Sequence, residues 1–215
     1  MKKKISLVMA LVLVLSVLAF FSGCSIDKKV IGNWKATIDM SSMMNDMLKA
    51  DGGEEMAEYF TISDFKFDVI LTFNEDGTCK SVVDETTYKA TMDKVADQIA
   101  DGMVKMLEDM FKEANIDMTV EEYLASQNMT MDDLTAEMKA SFENQDMSGM
   151  ETEGTYVIED KKIIVTETKD GKTIEEVYEY VDGTIKVVEM GGLDELEEEE
   201  KAMVEFLLKT TFTKA

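Results

Sequence analysis

The sequence predicts an α+β chain: an antiparallel, up-and-down, eight-stranded β-barrel with a three-helix insertion between its third and fourth strands. Three observations predict it. From Phe65 to Phe73, apolar residues at Phe65, Phe67, Val69, Leu71 and Phe73 share one face at period two. In the second half, runs rich in Val, Ile, Thr and Tyr are separated by turn signals at Glu159-Asp160-Lys161, Lys169-Asp170-Gly171-Lys172 and Asp182-Gly183. Between these regions, Thr86 to Asn115 repeats its apolar residues at three- and four-residue steps, the period of an amphipathic helix. Eight antiparallel strands in sequence order can close. A barrel of that size is filled by side chains or holds one small ligand.

The chain opens on a leader. Lys2, Lys3 and Lys4 precede an uncharged apolar run from Ile5 to Phe21, and Ser22-Gly23 supplies small residues before Cys24. That order is a secretory signal, set apart from fold reasoning. About 20 apolar residues also span a bilayer, so an uncleaved anchor is the competing reading. The expected division is a leader over 1–23, a tether over 24–29 and a barrel domain over 30–215, with a helical insertion over 86–147.

Val30 to Ile38 reads as the first strand. Met40 to Tyr59 reads as a helix broken at Gly52-Gly53, with Met40, Met43, Met44 and Met47 on one face. The second strand runs from Phe65 to Phe73. Asn74-Glu75-Asp76-Gly77 is a tight turn in which Gly77 can take positive φ at little cost, and Thr78 to Val83 returns. After the long helix, Thr119-x-x-Glu122 has the form of a capping box. Thr130 can cap a further helix, with Asp132 and Asp133 in its first turn. Strands resume at Gly154–Ile158, Ile163–Thr166, Thr173–Val181 and Thr184–Glu189. Leu193 to Glu205 reads as an acidic helix and Leu207 to Lys214 as a closing strand.

Composition excludes several functions. Net charge is −23, every basic residue is Lys, and there is no Arg, His or Pro. Without His there is no Ser-His-Asp or Cys-His site and no imidazole switch. Without Arg there is no bidentate phosphate clamp. So acidic a body repels nucleic acid and anionic headgroups. Cys24 and Cys79 are the two cysteines. This is not a disulfide scaffold, and Cys79 reads as a half-buried strand residue rather than a reactive thiol. No Gly-rich phosphate loop, Gly-x-Ser-x-Gly or CxxC occurs. The expectation is a non-enzyme with no cofactor and no metal.

Two groups of residues carry a second reading. The 19 methionines include Met40, Met43, Met44 and Met47, and also Met103, Met106 and Met110. They read as core or adaptable surface, with soft thioether ligation of Cu(I) as the alternative. The run Asp194-Glu195-Leu196-Glu197-Glu198-Glu199-Glu200 reads as a solvated helix face, against Ca²⁺ binding, which needs six to eight oxygens from a shaped loop.

Phe21-Ser22-Gly23-Cys24 resembles the lipobox of bacterial lipoproteins, with Phe21 where Leu is usual. The resemblance implies cleavage between Gly23 and Cys24, a lipid on the Cys24 sulfur, and anchorage at the outer face of the bacterial cell membrane. Gly32-x-Trp34, Leu71-Thr72-Phe73-Asn74-x-Asp76-Gly77-Thr78, Gly154-Thr155-Tyr156 with Lys162-Ile163, and Thr211-Phe212-Thr213-Lys214 together resemble lipocalin-like domains of secreted bacterial lipoproteins. That resemblance implies a barrel whose base is plugged by Trp34. It also implies a basic residue from the last strands, here Lys214 or Lys209 in place of Arg. Met118 to Leu134, within Ile116–Phe142, resembles the helical arm of trigger factor, which cradles unfolded chains.

Three functions are therefore expected in turn. The first is a membrane-tethered, non-catalytic binding or accessory lipoprotein whose small apolar ligand lies against Phe65, Phe67, Val69 and Leu71. The second is an extracytoplasmic folding helper that uses the Met-rich insertion on an unfolded polypeptide. The third is a surface structural or interaction protein.

Overall fold

The computed structural model describes residues 27–143, 150–169, 172–191, 201, 204 and 206–215. Eight strands close into one antiparallel barrel in sequence order: β1 (Gly32–Asp39), β2 (Lys66–Phe73), β3 (Thr78–Val83), β4 (Glu151–Glu159), β5 (Lys162–Lys169), β6 (Lys172–Val181), β7 (Thr184–Met190) and β8 (Thr211–Lys214). Among the described residues are the helices α1 (Asp27–Val30), α2 (Ser41–Tyr59), α3 (Glu85–Glu113), α4 (Val120–Ser126) and α5 (Met131–Glu143). Helices α3 to α5 lie between β3 and β4, so the predicted α+β barrel with its three-helix insertion is the fold.

Two boundaries differ from expectation. Asp27–Val30 forms a helical turn, so β1 starts at Gly32 rather than Val30. Leu207 is helical and Leu208 and Lys209 form a turn, so β8 is shorter than Leu207–Lys214. Leu208 N–H donates to Val204 O (2.9 Å), a helical bond that holds this segment out of the ladder. Most of the expected helix Leu193–Glu205, with its acidic run, lies outside the described residues, as do Gly23 and Cys24.

Contacts divide the chain into two compact units. One comprises the described residues up to Asn33, Thr72–Cys79 and Glu153–Lys214. Its register is set by hairpins: Ile163 pairs with Tyr178, Val165 with Glu176, Tyr156 with Val165, and Ile185 with Phe212. Residues 163, 165, 185, 187 and 212 are buried at alternate positions, as one-sided burial of a strand requires. The β2–β3 turn is locked by Asp76, whose Oδ1 accepts from Thr78 N–H (3.0 Å) and Thr78 Oγ1 (2.7 Å). Gly77 sits at φ +84. Gly77 O accepts from Tyr156 N–H (2.8 Å), and Asn74 O accepts from Tyr156 Oη (2.7 Å), tying β4 to this turn.

The other unit spans Trp34–Leu71 and Lys80–Thr152. Ile62, Phe65, Tyr88, Met92 and Val95 form its apolar cluster, flanked by Met40, Met44, Leu48, Phe67, Val83, Ile99 and Phe142. Helix α2 kinks at Gly53 (φ +75), as the Gly52-Gly53 pair predicts. Side-chain amides pin the chain that leads into β2. Asn45 accepts from Ile62 N–H and donates to Ile62 O, both at 2.8 Å. Gln98 accepts from Ser63 N–H (2.8 Å) and donates to Ser63 O (3.1 Å). Asp84 caps α3 by accepting from Thr87 N–H (2.9 Å), and Asp84 N–H donates to Asp68 O (2.8 Å). The long helix is thus fastened to β2 at its first turn.

Candidate functional site

In the first unit, Glu167 shares a face with the buried Ile163 and Val165 of β5, and Glu176 and Tyr178 stand opposite Val165 and Ile163 on β6. The face that forms the core therefore also carries carboxylates. Tyr178 is buried and its Oη donates to Glu176 Oε2. Cys79, on β3, is buried and its thiol is free. The ring of Phe73 meets Tyr156 edge-on at 4.9 Å and Tyr178 at 6.5 Å, and Tyr178 meets Phe212 at 6.4 Å. These aromatic contacts fix the phenol that holds Glu176.

Burial dominates the electrostatics. It raises the Glu176 carboxyl above its ordinary value, with Glu167 adding to the rise and the Tyr178 hydrogen bond opposing it. Burial, then the neighbouring Glu176, pushes the Tyr178 phenol far up. The Cys79 thiol is pushed up to about 11 by burial, with Glu167 and Glu176 contributing. A thiol so raised stays protonated at neutral pH and is a poor nucleophile. Among the described residues, no three Cys, Asp or Glu side chains are placed to hold a metal ion.

The expected ligand-lining face is divided by what covers it. Phe65 is buried in the cluster with Ile62, Tyr88, Met92 and Val95. Its ring lies 5.8 Å from Phe67, which in turn meets Tyr88 edge-on at 5.5 Å. Helix α3 therefore occupies the flank of these two rings. Val69 is half-buried and Leu71 buried further along the strand. Trp34 is 1% exposed and shares its face of β1 with Ala36 and Ile38. Of the two lysines proposed to replace Arg, Lys214 reaches back to the start of β1. Its Nζ donates to Lys29 O (3.1 Å) and to Ile31 O. A Cβ on Gly32 (φ +113) would lie 3.2 Å from that amine. Gly32 in the Gly-x-Trp motif thus serves both a positive φ and the space Lys214 fills.

On β2 in the second unit, Asp68 is buried and accepts from Lys35 Nζ (2.8 Å) and Thr37 Oγ1 (2.6 Å). The Lys35 bond, then the Thr37 bond, hold its carboxyl below the usual carboxylate range. Asp68 fastens β1 to β2, and its role is structural. Sequence reasoning missed the inward Glu167, Glu176 and Tyr178. The signal was there: Ile163, Val165, Glu167 and Ile174, Glu176, Tyr178 each continue an apolar face at period two.

No protein-family model matches this chain, and neither a curated protein nor a solved structure does. The closed antiparallel eight-stranded barrel, consistent with a lipocalin-like one, therefore rests on its own topology. Among the described residues, no helix is long and apolar enough to cross a membrane.

Proposed function

We propose that this chain is a lipid-anchored extracytoplasmic binding protein without catalytic chemistry. The observation that carries the proposal is the leader. Lys2 to Lys4, the apolar run and Phe21-Ser22-Gly23-Cys24 stand just ahead of a closed barrel whose first strand opens at Gly32. Acyl chains on Cys24 hold the protein at the outer face of the membrane, each buried CH₂ contributing about 0.8 kcal/mol. The barrel is the binding module, and its ligand is small and largely apolar, lying against Val69 and Leu71. A non-catalytic role is supported by the lack of His and Arg, by the high Cys79 pKa, and by the pairing of Tyr178 with Glu176.

The test is Cys24→Ser. The wild-type protein is expected to fractionate with membranes and to carry an acyl mass at its N-terminus, and the variant to do neither. A wild-type chain without acyl mass ends the anchoring reading. Native mass spectrometry of protein taken from its own membrane is expected to show a bound small molecule, and a bare barrel ends the ligand reading.

A further inference from the structure

The turn that joins α3 to α4 exposes a group of large apolar side chains. Met110 is 54% exposed, Ile116 46%, Met118 42% and Tyr123 37%. Local geometry brings Ile116 and Tyr123 to the same residue, Phe111. Asn115 adopts a left-handed conformation at φ +51, and Ile116 N–H donates back to Phe111 O (2.9 Å). This is the six-to-one closure of a helix end, which returns Ile116 to the last turn of α3. The Phe111 ring then meets Tyr123 of α4 edge-on at 5.6 Å. Val120 and Leu124 are buried, so α4 has its own apolar residues to hold it down. Tyr123 and Ile116 are surplus to that packing.

The rim of the patch is one-signed. Glu108, Glu113, Asp117, Glu121 and Glu122 are exposed around it. Lys112 is the single basic residue between Glu108 and Glu122, and Asp109 engages it at 2.9 Å. An exposed apolar patch marks an interaction site, and methionines suit a surface that repacks around its partner. The charge decides which partner. A second copy of this chain brings the same acidic rim and a net charge of −23, and is repelled. An anionic bilayer is repelled for the same reason.

We propose that the α3–α4 turn is a docking surface for a cationic amphipathic peptide segment of another polypeptide. Its apolar side chains cover Met110, Ile116, Met118 and Tyr123, and its lysines or arginines face Glu113, Asp117 and Glu121. This surface goes beyond the anchored-barrel reading and stands whether or not the barrel holds a ligand.

The test is fluorescence anisotropy of a labelled Leu/Lys amphipathic helix-forming peptide titrated with the full chain. A Leu/Glu peptide of the same pattern and phosphatidylglycerol vesicles are the comparison probes. Binding to the Leu/Lys peptide alone is expected, weakening as salt is added. The double variants Glu113→Lys/Asp117→Lys and Met110→Ser/Met118→Ser each weaken it by about tenfold or more. Glu75→Lys/Glu159→Lys, equal in net charge to the first pair, leaves it nearly unchanged. Unchanged thermal midpoints establish that the variants are folded. Equal binding of the Leu/Glu peptide, preference for vesicles, wild-type affinity in either patch variant, or equal loss in the Glu75/Glu159 variant each overturns the proposal.

Discussion

The two compact units bury their cores by opposite means. In the unit built from Thr72–Cys79 and Glu153–Lys214, buried side chains are held by strand register, and aromatic edges meet aromatic faces around Phe73, Tyr156, Tyr178 and Phe212. In the unit built from Trp34–Leu71 and Lys80–Thr152, helices supply Met44 and Met92 to the apolar cluster, Met40 joins them from the residue before α2, and side-chain amides of Asn45 and Gln98 hold a connecting segment in place. A sheet fixes each residue by its neighbours across the ladder. A helix layer fills its gaps with flexible thioethers and tolerates adjustment. The first unit should therefore be brittle and the second compliant.

Truncating one core residue in each gives the sharpest contrast. Phe73→Ala removes a ring that is 1% exposed and touches two tyrosines, and is expected to destabilise by about 4 kcal/mol. Met92→Ala removes a side chain that the cluster around Leu48, Ile99 and Phe142 can collapse upon, and should cost about 2 kcal/mol. Chemical denaturation of both variants measures the difference, and equal losses would dissolve the distinction between the units.

Adding a methyl group probes the same contrast from the other side. A Cβ on Gly154 would lie 2.6 Å from Thr166 O, a backbone atom of β5, which is paired with β4 on one side and β6 on the other. A Cβ on Gly102 would lie 2.5 Å from the Phe60 ring and 2.7 Å from Tyr59 O, at the end of the kinked α2. Overpacking costs typically 1–3 kcal/mol. Gly154→Ala should cost about 3 kcal/mol and Gly102→Ala about 1 kcal/mol, because a helix end shifts more readily than a paired strand. Reversed magnitudes in thermal unfolding would show that the helix layer is the rigid part.

The pH response separates the units by sign. Burial raises the Glu176 carboxyl, so its contribution is fully present below the ordinary glutamate pKa and is lost as pH rises through the raised value. The Asp68 carboxyl is lowered, chiefly by its bond from Lys35, so its contribution is present above the ordinary aspartate pKa and is lost as pH falls through the lowered value. Glu176→Gln keeps an acceptor for the Tyr178 phenol and should flatten the loss of stability as pH rises above the ordinary glutamate value. Asp68→Asn should flatten the acid limb alone. Stability curves against pH for the two variants check both, and identical curves would refute the assignment.

Which of these features the sequence reveals follows from how local their causes are. The barrel was readable because alternation from Phe65 to Phe73 and the Asp160 and Asp182-Gly183 turns are written in consecutive residues. The structure gives Asp160 and Asp182 positive φ, as those turns need. The capping box at Thr119 and Glu122 and the cap at Thr130 were readable for the same reason. The start of β1 was misplaced because Asp27–Val30 is a helical turn with no strong local signal, and Val30 is wholly buried there. The inward carboxylates of Glu167 and Glu176 follow from period two, but what a carboxylate inside a barrel faces is set by pairing across the ladder, which the local sequence does not show. The amide clamps of Asn45 and Gln98 join residues 17 and 35 positions apart, which no local pattern encodes.

The smallest effect tests whether the compliant unit comes apart piecewise. Thr119 Oγ1 accepts from Glu122 N–H (3.1 Å), and the Glu122 carboxylate accepts from Thr119 N–H (2.9 Å). Thr130 and Asp133 repeat the exchange at α5, with Asp133 N–H donating to Thr130 Oγ1 at 3.1 Å. Thr119→Ala should cost about 1 kcal/mol, the usual value of a lost cap. Helix α4 has seven residues, too few to persist without its cap and its buried Val120 and Leu124. Amide hydrogen exchange should therefore quicken in α4 while β5, β6 and β7 keep their protection. Exchange that quickens in the strands as well would mean that the helices and the ladder unfold as one, and that brittle and compliant describe a single cooperative body.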